Sequence, residues 1–357
     1  MSHADTLQPS FTELFRKVGK FLMFPFLLVV MIAGTYMYAM HSPTPHELPI
    51  AIVGDAQIAQ GYADQLEAST GDRYEFEVFT TAEEGREQVQ HRDVAATVIL
   101  TPTAEDIALG STYTSSISTG TDTSSILVYV ASAGSASRAS AAVALLQNVA
   151  AQADSPIIIR DLVPLPAHDG AGVSLVYLSV GFTLTGYITI TILSIGLGRL
   201  FNLRNVTMIL APFGAFMTLV LWVLADPIIG AISGSFWRIF VTGWLTIMAV
   251  GLGTFLLNRV IGPMATLVSI FIFVACGIPA SGAAFPVDMV PAFFRFLHPL
   301  LPFTATAESL RTLMYFDNYE LINHWAVLAI WAVGAAVLVT IHDRIRPPKP
   351  AVSPLPL

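Results

Sequence analysis

Six apolar stretches decide what this chain can fold into. They lie at about 21–40, 174–195, 206–225, 237–257, 260–280 and 324–341, and none holds Asp, Glu, Lys or Arg in its interior. A helix needs roughly 20 apolar residues to cross a bilayer, so each stretch is long enough to cross. Only 12% of the 357 residues are charged and 54% are hydrophobic, against roughly 25% charged in soluble domains. A water-soluble enzyme is excluded on that ground. The absence of charges inside the stretches also separates the chain from ion-coupled carriers and voltage sensors, which keep ionisable groups at membrane depth. Arg238 and His324 stand at the ends of stretches, where snorkelling accounts for them. The single cysteine, Cys276, reads as a small core thiol and allows no disulfide framework.

The distribution of basic residues predicts orientation. Arg16, Lys17 and Lys20 precede the first stretch, Arg199 and Arg204 follow the second, Arg259 follows the fourth, and Arg344, Arg346 and Lys349 follow the sixth. In a six-span arrangement all four groups fall on one side, which the positive-inside rule makes cytoplasmic. Both termini are then expected inside, and the long segment 41–170 outside. That segment holds 17 acidic and 5 basic residues and no lysine, a net of −12, whereas the whole chain carries −8. Such a surface repels nucleic acid and anionic headgroups, and solubility alone accounts for most of it.

Periodicity divides the chain as follows. Phe11, Leu14, Phe15, Val18 and Phe21–Leu22 stand on one helical face with bases opposite, which predicts an interfacial amphipathic helix over 1–20; an extension of the first span (21–40) is the alternative. Residues 41–170 read as an α/β unit with a mixed sheet. "LPIAIVGD", "RYEFEVF", "VAATVIL", "SSILVYVAS" and "PIIIRDLVP" are its strands, a capping box joins Thr81 and Glu84, and 137–153 is an Ala-rich helix. The Ser/Thr/Gly run 110–125 is an exposed loop or edge strand. His91 and His168 read as isolated surface residues, and Asp55, Asp64 and Asp72 lack the spacing of a calcium loop. No nucleophile, base and acid stand in a recognisable pattern, so no catalytic, cofactor or metal residue is assigned. Residues 171–342 hold the remaining spans, and 343–357 form a tail. The Thr, Ser and Gly of the second span suit either close helix packing or a polar-lined path.

One stretch breaks the pattern. "SGAAFPVDMVPAFFRFLHPLLPFTATAESLR", Ser281–Arg311, is apolar but carries Pro286, Pro291, Pro299 and Pro302. Irregular backbone at membrane depth is tolerated only where protein or water covers it. The segment 281–311 is therefore expected to be re-entrant or to lie at the outer interface, packed on the helices. Its last part predicts a helix on which Glu308 and Arg311, three residues apart, can pair.

The motif small-Gly at Ser281–Gly282, Phe-Pro at Phe285–Pro286, a Pro-led amphipathic piece from Val290, a Leu-Pro break and Glu-x-x-Arg at Glu308–Arg311 resembles the signature that follows the fifth span of type-two ABC exporter permeases. One span, a large outer segment and five further spans resemble the subgroup that includes phage-infection-protein-like membrane proteins. The resemblance implies an α-helical, six-span, multi-pass protein of a bacterial cytoplasmic membrane, with an inserted extracytoplasmic α/β domain between the first two spans. It also implies a half-transporter that pairs with a second copy or a related permease. Such a permease works with a separate ATPase subunit and moves a lipid, glycolipid or other lipophilic compound outward. This chain has no GxxxxGK[ST] motif of its own, so ATP would act on the partner and no cofactor is expected here. By the same analogy Phe15, Arg16, Arg199, Phe201 and Arg204 would couple to the ATPase. Phe285, Pro286, Phe294, His298, Pro302, Glu308 and Arg311 would form the outer gate. Membrane lipids are expected contacts; nucleic acid is not. The competing reading is a non-transporting scaffold or receptor that presents its outer domain to cell-envelope assembly machinery.

Overall fold

A computed structural model of the protein describes residues 11–40, 44–113, 125–152, 156–166, 169, 172–197, 201–283 and 286–346; side chains are described for all of these but 11–22, 24, 25, 40 and 263. The chain opens with one continuous helix, α1 (Phe11–Met40). The expected boundary between an amphipathic piece ending at 20 and a span starting at 21 is therefore absent from the backbone.

Between α1 and the next long helix lie β1 (Leu48–Val53), α2 (Ala56–Thr70), β2 (Tyr74–Phe79), α3 (Ala82–His91), β3 (Ala96–Ile99), α4 (Ala104–Ala108), β4 (Ser111–Thr112), β5 (Ile126–Val130), α5 (Ala136–Gln152) and β6 (Ile157–Asp161). The strands form one mixed sheet in the order β2-β1-β3-β5-β6-β4. β1 pairs in parallel with β2 and β3, β5 with β6, while β3–β5 and β4–β6 are antiparallel. Alternation along the strands places Ile50, Val98, Val128 and Ile159 against α5, and Ile52 against α2. Ala51, Val53, Leu127 and Tyr129 face Val89 of α3 and Ile107 of α4. The sheet is thus covered on both faces, which is why its central strands read as unbroken apolar runs rather than alternating ones. Local chemistry sets the helix starts. Asp55 accepts from Gln57 N, Thr81 and Glu84 form the predicted capping box, and Thr103 and Asp106 form a second. Of the Ser/Thr/Gly run, Ser111–Thr112 is the edge strand β4, and 114–124 lie outside the described residues.

The helices that follow are α6 (Ser174–Gly196), α7 (Leu203–Val223), α8 (Phe236–Ile261), α9 (Ala265–Ile270), α10 (Gly277–Ala280), α11 (Ala292–Leu297), α12 (Pro302–Tyr315) and α13 (Leu321–Ile345). Among the described residues, four helices are long and apolar enough to cross a membrane: α6, α7 with its extension to Ile228, α8 and α13. Phe26–Ala39 and Ala265–Ala280 are apolar and helical but shorter. The fifth apolar stretch therefore begins later than 260. α8 continues to Ile261, so Arg259 sits in its last turn rather than in a loop, and Gly262, at φ 62, ends the helix.

Two π-turns interrupt these helices. Cys276 N donates to Phe271 O at 2.8 Å, five residues back, and Ile229 N donates to Leu224 O at 3.1 Å. Each lies at a proline, Pro279 and Pro227, which lacks an N–H and crowds the carbonyl four residues earlier; widening the turn relieves both. α8 is the central member, packed against α6, α7, α12 and α13. The hydroxyls of α6 settle what its composition left open. Ser179, Thr185, Thr189, Thr191 and Ser194 all donate to carbonyls of their own helix. Their protons are thus engaged within the helix, although Thr185 and Thr189 line a groove with Ile188, Ile192 and Phe213; the buried Thr183 hydroxyl has no partner. The small residues instead permit close approach, since Gly186 stands against the backbone of α8 at Ile247 and Gly251.

Candidate functional site

The Pro-punctuated segment folds as a chain of short pieces that ends in a buried helix. Gly282, at φ 66, turns the chain after α10. Pro286 is buried and leads into the turn Val287–Met289, whose Met289 packs into the cluster between the sheet and α5. Phe285 lies outside the described residues. Phe294 of α11 is 1% exposed and faces Tyr38 of α1, with ring centroids 6.1 Å apart. His298 donates its Nδ1 proton to the Ala280 carbonyl at 2.7 Å, which closes the loop back on α10. Pro302 occupies the first turn of α12, where its missing N–H costs nothing. Every residue from Leu301 to Leu313 is buried, among α6, α8, α10 and α13.

α12 carries the most unusual electrostatics in the protein. Glu308 and Arg311 are each 5% exposed. They pair directly, as their spacing predicted. What the spacing did not show is a third member. Arg92, at the end of α3, donates Nη1 to Glu308 Oε2 at 2.7 Å across 216 residues of sequence. Arg92 ends α3 in the left-handed region, at φ 68, and its guanidinium also lies 5.1 Å from the Phe316 ring centroid. Arg311 Nη2 completes its set on the Gly282 carbonyl at 3.1 Å. A parallel contact joins Arg138 Nε of α5 to Asp288 Oδ2 at 2.8 Å, and Arg138 Nη1 donates to the Arg92 carbonyl at 2.6 Å. His91, read as isolated, stacks on Tyr319 at 4.3 Å with the rings 5° apart. The α/β unit is therefore fastened to the segment Ser281–Arg311 and to the turn between α12 and α13 by charge, ring and apolar contacts together.

Burial pushes the Glu308 carboxyl up, but the Arg311 and Arg92 guanidiniums, with His298, outweigh it and hold the group well below the usual carboxylate range. A lowered folded value means stability that is present above the ordinary value of 4.5 and is lost as pH falls through the folded one. Amide-exchange protection of α12 should thus stay constant from about pH 7 to 5 and weaken only in stronger acid. Loosening already near pH 6 would assign control to a histidine instead. Burial lowers Arg138, opposed by Asp288. Burial pushes the Tyr315 phenol up to about 12, with Asp169 adding to the shift.

At the opposite end of the bundle, Asn202 caps α7 by accepting from Asn205 N at 3.0 Å. Arg204 therefore lies in the first turn of α7, exposed, rather than in a loop. Phe201 is half-buried, edge-on to Phe255 at 4.8 Å. Arg259 lies over both rings, 5.9 Å from Phe201 and 5.2 Å from Phe255, and 3.8 Å from Asp343 of α13. The side chains of Phe15 and Arg16, and all of Arg199, lie outside the described residues.

Of the residues expected at a gate, Pro286, His298, Glu308 and Arg311 line one cavity, whereas Phe294 packs against α1 and Pro302 starts α12. Sequence reasoning missed Arg92, Arg138, Asp288 and Arg259. A signal existed for the first two: every basic residue in 41–170 is an arginine, the cation suited to buried pairs. Among the described residues no group of His, Cys, Asp and Glu could hold a metal ion.

No curated protein and no solved structure matches the chain. The family model described as ABC-2 family transporter protein matches residues 20–341, which takes in most of α1, the sheet, the buried α12 and nearly all of the long apolar helices. The chain is a multi-pass membrane protein that belongs to the ABC-2 family of transporter proteins.

Proposed function

We propose that the chain is the permease subunit, a half-transporter, of an ABC-type exporter that moves a lipid, glycolipid or other lipophilic molecule outward across the cytoplasmic membrane. ATP is hydrolysed on a separate subunit. One observation carries this reading beyond family membership: α12, too short at 14 residues to cross, is buried in the helical bundle and fastened to the α/β unit. A helix held at that place shapes the rim by which a cargo leaves. The self-bonded hydroxyls of α6 favour an apolar cargo over an ion.

In this reading six helices cross the membrane, α1 and Ala265–Ala280 included, with both termini inside and the α/β unit outside. The tightly bent fifth helix is covered by α1. Phe26 and Val29 of α1, 61% and 65% exposed, face lipid or a second permease. The ATPase docks on the inner side, against the start of α1 with Phe15 and Arg16 and against Arg199, Phe201 and Arg204. Arg259, laid over Phe201, transmits its push to α8 and α13.

Neutralising Arg199 and Arg204 together should abolish export while the amount of protein in the membrane stays unchanged. Undiminished export by that variant would remove the coupling role. Purification under mild detergent, with bound proteins identified, separates the exporter from the scaffold: a stoichiometric ATPase is expected, and its absence together with a cell-envelope assembly protein would favour the scaffold.

A further inference from the structure

Where the α/β unit meets the outer segment, the two surfaces leave a cavity of about 320 Å³. Arg92 and Arg138 line it from the α/β side, Arg311 and His298 from the other. The volume falls in the range of small-ligand sites, and it is too small for an acyl chain with its headgroup. Its walls are charged rather than apolar, unlike the grooves among the long helices.

The charge balance decides what would enter. Glu308 is shared by Arg92 and Arg311, and Asp288 is paired with Arg138. In the buried and half-buried part of the wall, three guanidiniums thus meet two carboxylates. Asp93 and Glu320, both exposed, also line the cavity; Asp93 acts on Arg138 from the solvent side, where water weakens its pull. Donors remain as well. The Nε–H of Arg92 is buried and has no acceptor, and Arg138 Nη2 reaches only the Asp93 carbonyl, at 3.4 Å. A buried donor without an acceptor is costly, and guanidinium forks match tetrahedral oxyanions well.

We propose that this cavity binds a compact phosphate-bearing group, about the size of glycerophosphate. The group binds beside Arg92 and Arg138, and Arg311 and His298 close the far wall. Its source is a free phosphate ester or the headgroup of a phospholipid, and the chemistry of recognition is the same for both. The inference does not rest on transport, because binding is read on the resting protein.

The test uses the full chain, purified in a phospholipid-free nonionic detergent, with thermal unfolding followed against three probes. These are glycerol 3-phosphate, dihexanoyl phosphatidylglycerol and the neutral dihexanoylglycerol. Saturable stabilisation by a phosphate probe and none by the neutral lipid is expected, weakening as salt rises. Stabilisation by the phosphatidylglycerol alone identifies a lipid headgroup; stabilisation by glycerol 3-phosphate identifies the phosphate ester itself. Arg138→Gln should weaken binding at least tenfold. Because that variant also leaves Asp288 unpaired, Val287→Phe provides an uncharged check: it narrows the cavity from the outer segment and should lose binding to the same extent. No saturable effect of either phosphate probe, an equal effect of the neutral lipid, or full binding by Val287→Phe overturns the proposal.

Discussion

Glu308→Ala is expected to destabilise the protein more than any other single change in the charge network. It leaves Arg311, 5% exposed, and Arg92 without their shared carboxylate. Removing one partner of a buried pair costs about 3–5 kcal/mol, because the remaining charge stays desolvated. Arg311→Ala should cost less, since Arg92 still neutralises Glu308. Arg92→Ala should cost least of the three, since Glu308 keeps Arg311 and the Arg92 side chain is itself 18% exposed. The combination Arg92→Leu, Glu308→Leu, Arg311→Met should recover most of the loss, because apolar side chains of similar volume need no counter-charge. Unfolding of the purified protein in detergent gives the ranking. Equal effects for the singles and the triple, all under about 1 kcal/mol, would mean a water-screened helix face and would remove the fastening of the α/β unit to α12.

Gly186→Leu is the second large effect. A Cβ added at Gly186 would lie 2.7 Å from the Ile247 carbonyl oxygen and 3.0 Å from Gly251 N. Both are backbone atoms of α8, so no side chain can swing aside; α6 must move as a whole. Overpacking of this kind costs about 1–3 kcal/mol and sometimes more, and the contact lies between α6 and the central helix. Gly196→Leu in the same helix is the control, because nothing stands within 4 Å of its added Cβ. Folded yield by size-exclusion chromatography should fall sharply for the first and stay unchanged for the second. Equal yields would show that α6 and α8 are not in backbone contact.

Much of the architecture was legible in the residues. The apolar stretches are helical, and the strands stand where the short β-rich runs lie. Thr81 and Glu84 cap α3, and Glu308 and Arg311 meet on one helix. These are local facts, settled by side-chain period and by partners a few residues away. The misreadings cluster at boundaries. Arg204 and Arg259 flank apolar stretches in the sequence but stand within helices, because α7 and α8 extend past their apolar runs by about a turn, to the ends that Asn202 and Gly262 set. The alternative uses of the hydroxyls in α6 could not be separated without knowing what each faced.

By itself the sequence determined that this is a membrane protein of apolar helices, with an α/β unit after its first apolar stretch and a proline-broken segment that must be covered. Hydrophobic length, charge sign and proline chemistry act over a few residues, so they are read directly. Only the tertiary structure decided that Arg92, 216 positions from Glu308, completes a buried charge triad. It also decided that Arg138 and Asp288 seal the same junction and that Arg259 lies on Phe201. Such pairings depend on which surfaces meet when the sheet docks on the bundle. A guanidinium that is buried looks, in the sequence, no different from one that is solvated.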